Sequence, residues 1–151
     1  MPARGANAGN VKISAMSKVF LDTNILVYSL DQSDAGKRKK CREFIKRLIG
    51  ENSGVISTQV MQEFFVAATA KLGADPLLAK DILRSLERFE TVVVSPLLIK
   101  EAIDCAIINR LSFWDALIVV AAESAHCETL WTEDLNHGQV IRGVRIENPL
   151  R

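Results

Sequence analysis

The chain has 151 residues, 48% hydrophobic and 25% charged, which suits one soluble globular domain with a single sizeable core. A formal net charge of +1 excludes a global field that draws in nucleic acid, so any basic surface must be local. The three cysteines, Cys41, Cys105 and Cys127, have no zinc-like spacing and suit a reducing cytoplasm, and no apolar stretch is long and pure enough to span a bilayer.

Residues 1–15 are rich in Ala, Gly and Asn and lack the apolar run of a secretory signal. A second methionine, Met16, stands immediately before Ser17-Lys18. The expectation is a disordered extension over 1–15, vector-derived or mis-annotated, and a single domain over 16–151. Lys18 to Leu21 reads as a buried strand and Asn24 to Leu30 as a short helix. Ala35 to Ile49 reads as a basic amphipathic helix stopped by Gly50, and Gly54 to Ile56 as a short strand. Ser57 is an N-cap for a helix to about Lys71, with Gly73 at its C-terminal position. Asp75-Pro76 is a cap followed by proline at the first helical position, opening a helix to about Arg88. Thr91 to Val94 is a β-branched strand, after which Ser95-Pro96 opens a helix to about Asn109. Ser112 opens another helix from Phe113 to about Ser124, and Thr129 to Trp131 and Val144 to Ile146 read as the last strands. Strands separated by helices imply crossover connections and a mainly parallel sheet, with sites at the carboxyl ends of the strands.

Four acidic residues sit at the ends of apolar segments. Asp22 follows Val19-Phe20-Leu21, Glu63 lies in Gln59-Val60-Met61-Gln62-Glu63-Phe64-Phe65, Asp115 in Ser112-Phe113-Trp114-Asp115-Ala116-Leu117-Ile118, and Asp134 follows Leu130-Trp131-Thr132-Glu133. Each has an ordinary reading. Asp22 can cap the helix that follows it, and Ser112-x-x-Asp115 resembles a capping box. Asp134 sits in a loop, where acidic residues are common. Glu63 is harder to explain, because Val60, Ala67 and Ala70 share its helical face, with Gln59 the polar exception. Together the four are more informative. Two carboxylates about 5 Å apart repel by roughly 3 kcal/mol at an effective dielectric of about 20. A hard divalent cation relieves that repulsion while keeping the charges, which points to metal-assisted phosphodiester chemistry.

The same segments resemble the PIN-domain family. Leu21-Asp22-Thr23-Asn24-Ile25-Leu26-Val27-Tyr28 is similar to its opening motif, and Ser57-x-Gln59-Val60-x-Gln62-Glu63-Phe64 to its second acidic motif. Leu111-Ser112-Phe113-Trp114-Asp115-Ala116-Leu117-Ile118 is similar to the third, and Leu130-Trp131-Thr132-Glu133-Asp134-Leu135-Asn136-His137-Gly138 to the fourth. All four occur in order, from about Lys18 to the C-terminus, and the single-domain length resembles VapC toxins of bacterial toxin–antitoxin pairs. The resemblance implies a three-layer α/β/α sandwich around a mainly parallel sheet and an Mg²⁺- or Mn²⁺-dependent ribonuclease. It makes Asp22, Glu63, Asp115 and Asp134 the catalytic, metal-holding quartet, with Asn24 and Thr132 as polar supports. Asp22 and Asp115 are then the expected direct ligands, with Glu63 and Asp134 holding a second metal, its waters or a proton. Asp134 is the preferred fourth member, although the register also admits Glu133. A small VapB-like antitoxin and a homodimer follow from the resemblance alone, while a cytoplasmic location agrees with the cysteine usage. An RNA-processing nuclease outside a toxin–antitoxin pair, or a non-catalytic RNA-binding module, are the competing readings.

Other motifs carry less. His126-Cys127 lacks a triad context and reads as a surface histidine beside a buried cysteine. His137 reads as loop solvation or turn packing. Lys37-Arg38-Lys39-Lys40 with Arg42, Lys46 and Arg47 makes one helix basic; its default reading is a solvated face, its functional one a set of salt-sensitive phosphate contacts. Arg84 and Arg88 pose the same choice.

Overall fold

The computed structural model describes residues 17–151, so the expected extension over 1–15 lies outside the described residues. Three short, buried strands form the centre: β1 (Val19–Leu21), β2 (Gly54–Ser57) and β4 (Thr129–Trp131). With β3 (Glu90–Val92), β5 (Val140–Ile141) and β6 (Val144–Glu147) they make one sheet of order β3-β2-β1-β4-β6-β5. Every pairing is parallel except β5 with β6. Phe20, Leu21, Val55, Ile56 and Leu130 are fully buried, as a parallel sheet covered on both faces requires.

The helices are α1 (Thr23–Tyr28), α2 (Ala35–Glu51), α3 (Thr58–Val66), α4 (Pro76–Leu86), α5 (Pro96–Asn109) and α6 (Phe113–Ser124). α1 packs on α2 and α3, and α3 on α4, while α5 packs on α6. α6 is buried continuously from Ala116 to Ala122 and lies against β2, β4 and β6. The result is the three-layer α/β/α sandwich the sequence leads one to expect. Among the described residues no single helix is long and apolar enough to cross a membrane.

The caps form as anticipated. Ser57, Ser95 and Ser112 accept from the backbone N–H groups of Val60, Leu98 and Asp115, and Asp75 from those of Leu77 and Leu78. Beyond end shifts of one or two residues, as in β3 and α4, three elements differ from expectation. α2 runs through Gly50 and ends at Asn52, which takes the left-handed conformation at φ 54° that asparagine tolerates. The helix expected to reach Lys71 changes at Ala67 into a π-helical turn, Ala67–Lys71, before Gly73 at φ 70°. Strand β5 was not foreseen: a two-residue turn, Arg142-Gly143, with φ of 52° and 78°, folds it back on β6.

Gly54 shows how tightly the sheet centre is filled. A Cβ there would overlap the buried ring of Phe89 and press on Leu48. Gly54→Ala is expected to destabilise the domain by about 1–3 kcal/mol, the usual cost of overpacking, as a lower denaturant midpoint at unchanged slope.

Candidate active site

Leu21 of β1 stands opposite Trp131 of β4, so the next residues, Asp22 and Thr132, leave the sheet side by side at its carboxyl edge. The Asp22 N–H donates to the Trp131 carbonyl at 3.0 Å and secures that register. The chain leads from β1 to β2 on one side, while β4 lies on the other. This is the switch point at which open α/β sheets form crevices.

Asp22 is only 6% exposed. Its Oδ1 accepts the Thr23 N–H at 2.7 Å, capping α1, while Oδ2 accepts from Thr132 Oγ1 at 2.7 Å. Burial pushes its pKa up to about 6 against the pull of the Thr132 and Thr23 hydrogen bonds, and the charges of Asp134 and Glu63 add to the rise. Asp134 is anchored at two points: its N–H donates to Thr132 Oγ1 at 3.0 Å, and Asn24 Nδ2 donates to its Oδ2 at 3.3 Å. Desolvation, then the charges of Asp115, Glu133 and Glu63, hold the Asp134 carboxyl above its ordinary range.

Glu63 reaches the same place from the second turn of α3. Thr23 Oγ1 donates to its Oε1 at 2.7 Å and Gln59 Nε2 to its Oε2 at 3.1 Å. Gln59 also donates to the Trp114 carbonyl at 3.2 Å, tying α3 to the first turn of α6, where Asp115 sits. Asp22, Glu63, Glu133 and Asp134 line one cavity of about 940 Å³. Its other walls include Val27, Val66, Leu72 and the π-helical turn, a distortion often found at functional sites. Three of the four expected carboxylates therefore share the cavity. Asp115 does not line it; it is half-buried beside it, near enough for its charge to act on Asp134.

Glu133 is held differently. Tyr28 Oη donates to its Oε1 at 2.6 Å, Lys37 Nζ lies 3.3 Å from its Oε2, and the same ammonium sits 4.5 Å from the Tyr28 ring centroid. The hydrogen bond to Glu133 raises the Tyr28 pKa, and the bonds to Tyr28 and Glu133 raise that of Lys37. Among the described residues Glu133 thus has a cationic partner, while Asp22, Glu63 and Asp134 have none within ion-pair distance. The sequence assigns no role of their own to Thr23 or Tyr28, and places Lys37 in the basic run of α2 rather than beside Glu133. Thr23 was flagged only by its place between Asp22 and Asn24, and Gln59 only as the polar exception on the face of Glu63.

The donor chemistry fits a hard divalent cation. The carboxylates at the cavity offer oxygens, and Asn24 Oδ1 and Gln59 Oε1, of residues that line it, are buried without a hydrogen-bond partner; Lys71 is the one ammonium among the described residues of the lining. The fit is one of chemistry rather than of a finished cage, because among the described residues no three Asp, Glu, His or Cys side chains stand in metal-holding positions. Rival nucleophiles are elsewhere. Burial pushes the thiols of Cys41 and Cys127 up to about 11 and about 12 and raises that of Cys105, so all three are inert. His126 is exposed, and His137 Nδ1 accepts the Asn148 N–H at 3.0 Å, a turn contact.

The family model of the PIN domain matches residues 19–142. No curated protein matches the sequence. Solved structures of similar fold include the VapC20 toxin of Mycobacterium tuberculosis, described as cleaving the sarcin-ricin loop, at 17% identity and TM-score 0.62 over 78% of this chain and 90% of that one. A toxin–antitoxin complex from Klebsiella pneumoniae matches at 23% identity and TM-score 0.63 over 85% and 95%. DNA-bound VapBC from Salmonella typhimurium matches at 21% identity and TM-score 0.63 over 87% and 98%.

Proposed function

The chain belongs to the PIN-domain family, and from that premise we propose that residues 16–151 form a single PIN domain acting as an Mg²⁺- or Mn²⁺-dependent ribonuclease, the toxin of a toxin–antitoxin pair. The observation that carries the reading is the buried Asp22, its pKa raised, sharing a cavity with Glu63 and Asp134; among the described residues none of the three has a cation within ion-pair distance, although Lys71 lines the same cavity. Such an arrangement costs stability unless a cation or substrate uses it. The toxin assignment draws support from the VapC and toxin–antitoxin structures that share the fold.

Asp22 and Asp115 would hold the ion directly, with Glu63 and Asp134 holding a second ion, its waters or a proton. Bound there, it supplies a water of lowered pKa and a counter-charge for the phosphoryl oxygens. The protein's own part is orientation. Thr132 Oγ1 and the Thr23 N–H fix both oxygens of Asp22. Asn24 steadies Asp134, and Thr23 with Gln59 aligns Glu63. Asp134, exposed and with its carboxyl above the ordinary range, can hold a proton for the leaving oxygen.

The two neighbours in the fourth motif separate cleanly. Asp134→Asn is expected to lower kcat by roughly 10²-fold or more, whereas Glu133→Gln, which still accepts from Tyr28, should stay within about tenfold. A larger loss in Glu133→Gln would move the fourth role to Glu133, and equal losses would divide it between the two. The toxin role is tested in cells: induction should arrest growth, and the product of the adjacent gene should relieve it. Cleavage without arrest would favour an RNA-processing nuclease; tight RNA binding without product would favour a non-catalytic module. A stripe of exposed isoleucines on α5, Ile99, Ile103 and Ile107, supports the proposed homodimer, which sedimentation would register.

A further inference from the structure

The cavity poses an electrostatic problem that the proposed reaction must solve. A phosphodiester chain is a polyanion, the cavity is walled by carboxylates, and the net charge of +1 provides no attraction at long range. Lys71 of the π-helical turn lines the cavity, and a strand entering it would need further cations beside it. α2 carries Lys37, Arg38, Lys39, Lys40, Arg42, Lys46 and Arg47 against Glu43 and Glu51. Among the described residues only Lys37 of these seven is in an ion pair, the one with Glu133.

The remaining cations are not scattered. Arg38, Arg42 and Lys46 recur every four residues, a stripe roughly 12 Å long on one face of α2. With Lys39, Ala35 and one carboxylate, Glu43, they line a hollow of about 430 Å³, four cations against one acid. Two of them are pinned to the loop between α1 and α2: Arg38 donates to the Asp31 carbonyl at 3.3 Å and to Gln32 Oε1 at 3.1 Å, and Arg42 to the Ser29 carbonyl at 2.8 Å. Asp31 of that loop lines the carboxylate cavity. The basic hollow is thus joined to the acidic cavity through the Arg38–Asp31 contact.

We propose that this face of α2 is a phosphate-backbone track that guides single-stranded RNA into the carboxylate cavity, a proposal that rests on the ribonuclease reading above. The track makes no base contacts and contributes affinity rather than sequence choice. Lys37 stays with Glu133, so the unpaired cations further along the helix do the binding. An acidic protein segment would satisfy the same charges, but the continuity with the cavity favours the strand that must enter it.

The test uses the full chain in EDTA and a short fluorescein-labelled single-stranded RNA of mixed sequence, titrated by anisotropy over a range of NaCl. Lys39→Gln with Lys46→Gln removes two exposed cations. Each lost phosphate contact should flatten the slope of log K against log salt by about 0.7, so the double variant should lose about 1.4. Its affinity should fall about tenfold, and with metal restored the loss should appear in KM. Thermal melting of the variant at the wild-type temperature shows that the fold is intact; Lys39→Gln alone, with half the change in slope, serves if it is not. Wild-type affinity and slope in the variant overturn the track. Unchanged RNA binding with weakened binding of a polyglutamate peptide overturns it in favour of an acidic protein partner. The two readings fail separately: a wild-type protein that binds RNA through α2 but never cleaves it sinks the ribonuclease and leaves the track standing.

Discussion

Replacing Asp22 by Asn is expected to abolish RNA cleavage while making the metal-free protein more stable near neutral pH. The activity loss should reach at least about 10³-fold, because the central carboxylate of a preorganised charge site is removed. The gain in stability follows from burial. The Asp22 pKa is raised from 3.8 to about 6 in the folded chain, so folding favours its protonated form. The associated stability is fully present below pH 4 and is lost as the pH climbs through 6, a change of about 3 kcal/mol by pH 8. Asparagine carries no charge to desolvate and escapes that loss. Urea melts in EDTA should therefore show variant and wild type converging near pH 4 and separating by about 1–3 kcal/mol at pH 8, less whatever the altered Thr132 contact costs. A variant that is less stable at pH 8 and still cleaves would make Asp22 a helix cap and nothing more.

Removing metal should be equally decisive. EDTA is expected to stop cleavage completely, and excess Mg²⁺ or Mn²⁺ to restore it. Binding should also be visible without any substrate. An ion at about one hundred times its Kd stabilises the native state by about 2.7 kcal/mol. For a domain of this length that raises Tm by roughly 5–10 °C. The shift should shrink below pH 6, where protons compete for Asp22, and nearly vanish in Asp22→Asn. Cleavage that persists in EDTA, together with a Tm that ignores both ions, would mean that the carboxylates act without a metal or that a contaminating nuclease does the cutting.

Much of this was legible in the chain itself. Caps such as Ser57, Asp75, Ser95 and Ser112 are local signals, and each acts at the residue where it was read. Two departures have physical causes of their own. Asn52 rather than Gly50 ends α2, because the left-handed position falls two residues later, where Ser53 turns back onto Leu48 through a 3.0 Å backbone bond. The β5–β6 hairpin escaped notice because its strand is two residues long and an arginine, not an asparagine, opens the turn; Glu101 and Glu123 hold that Arg142 at 2.8 and 3.0 Å.

The sequence by itself determined the order of the elements apart from β5 and the π-helical turn, and the mainly parallel sheet, and it singled out the acidic residues as candidates, because periodicity, capping and motif spacing are properties of neighbouring residues. Only the tertiary structure decided how those residues meet. The pairing of Leu21 with Trp131 puts Asp22 against Thr132, and the turn that follows sends Asp134 to Asn24 and Glu133 to Tyr28 and Lys37. It leaves Asp115 beside the cavity rather than in it, and ties Arg38 of the basic hollow to Asp31, which lines the cavity. Strand register and helix rotation are set by packing between residues as many as 110 positions apart, as Asp22 and Thr132 are, and no local pattern encodes them.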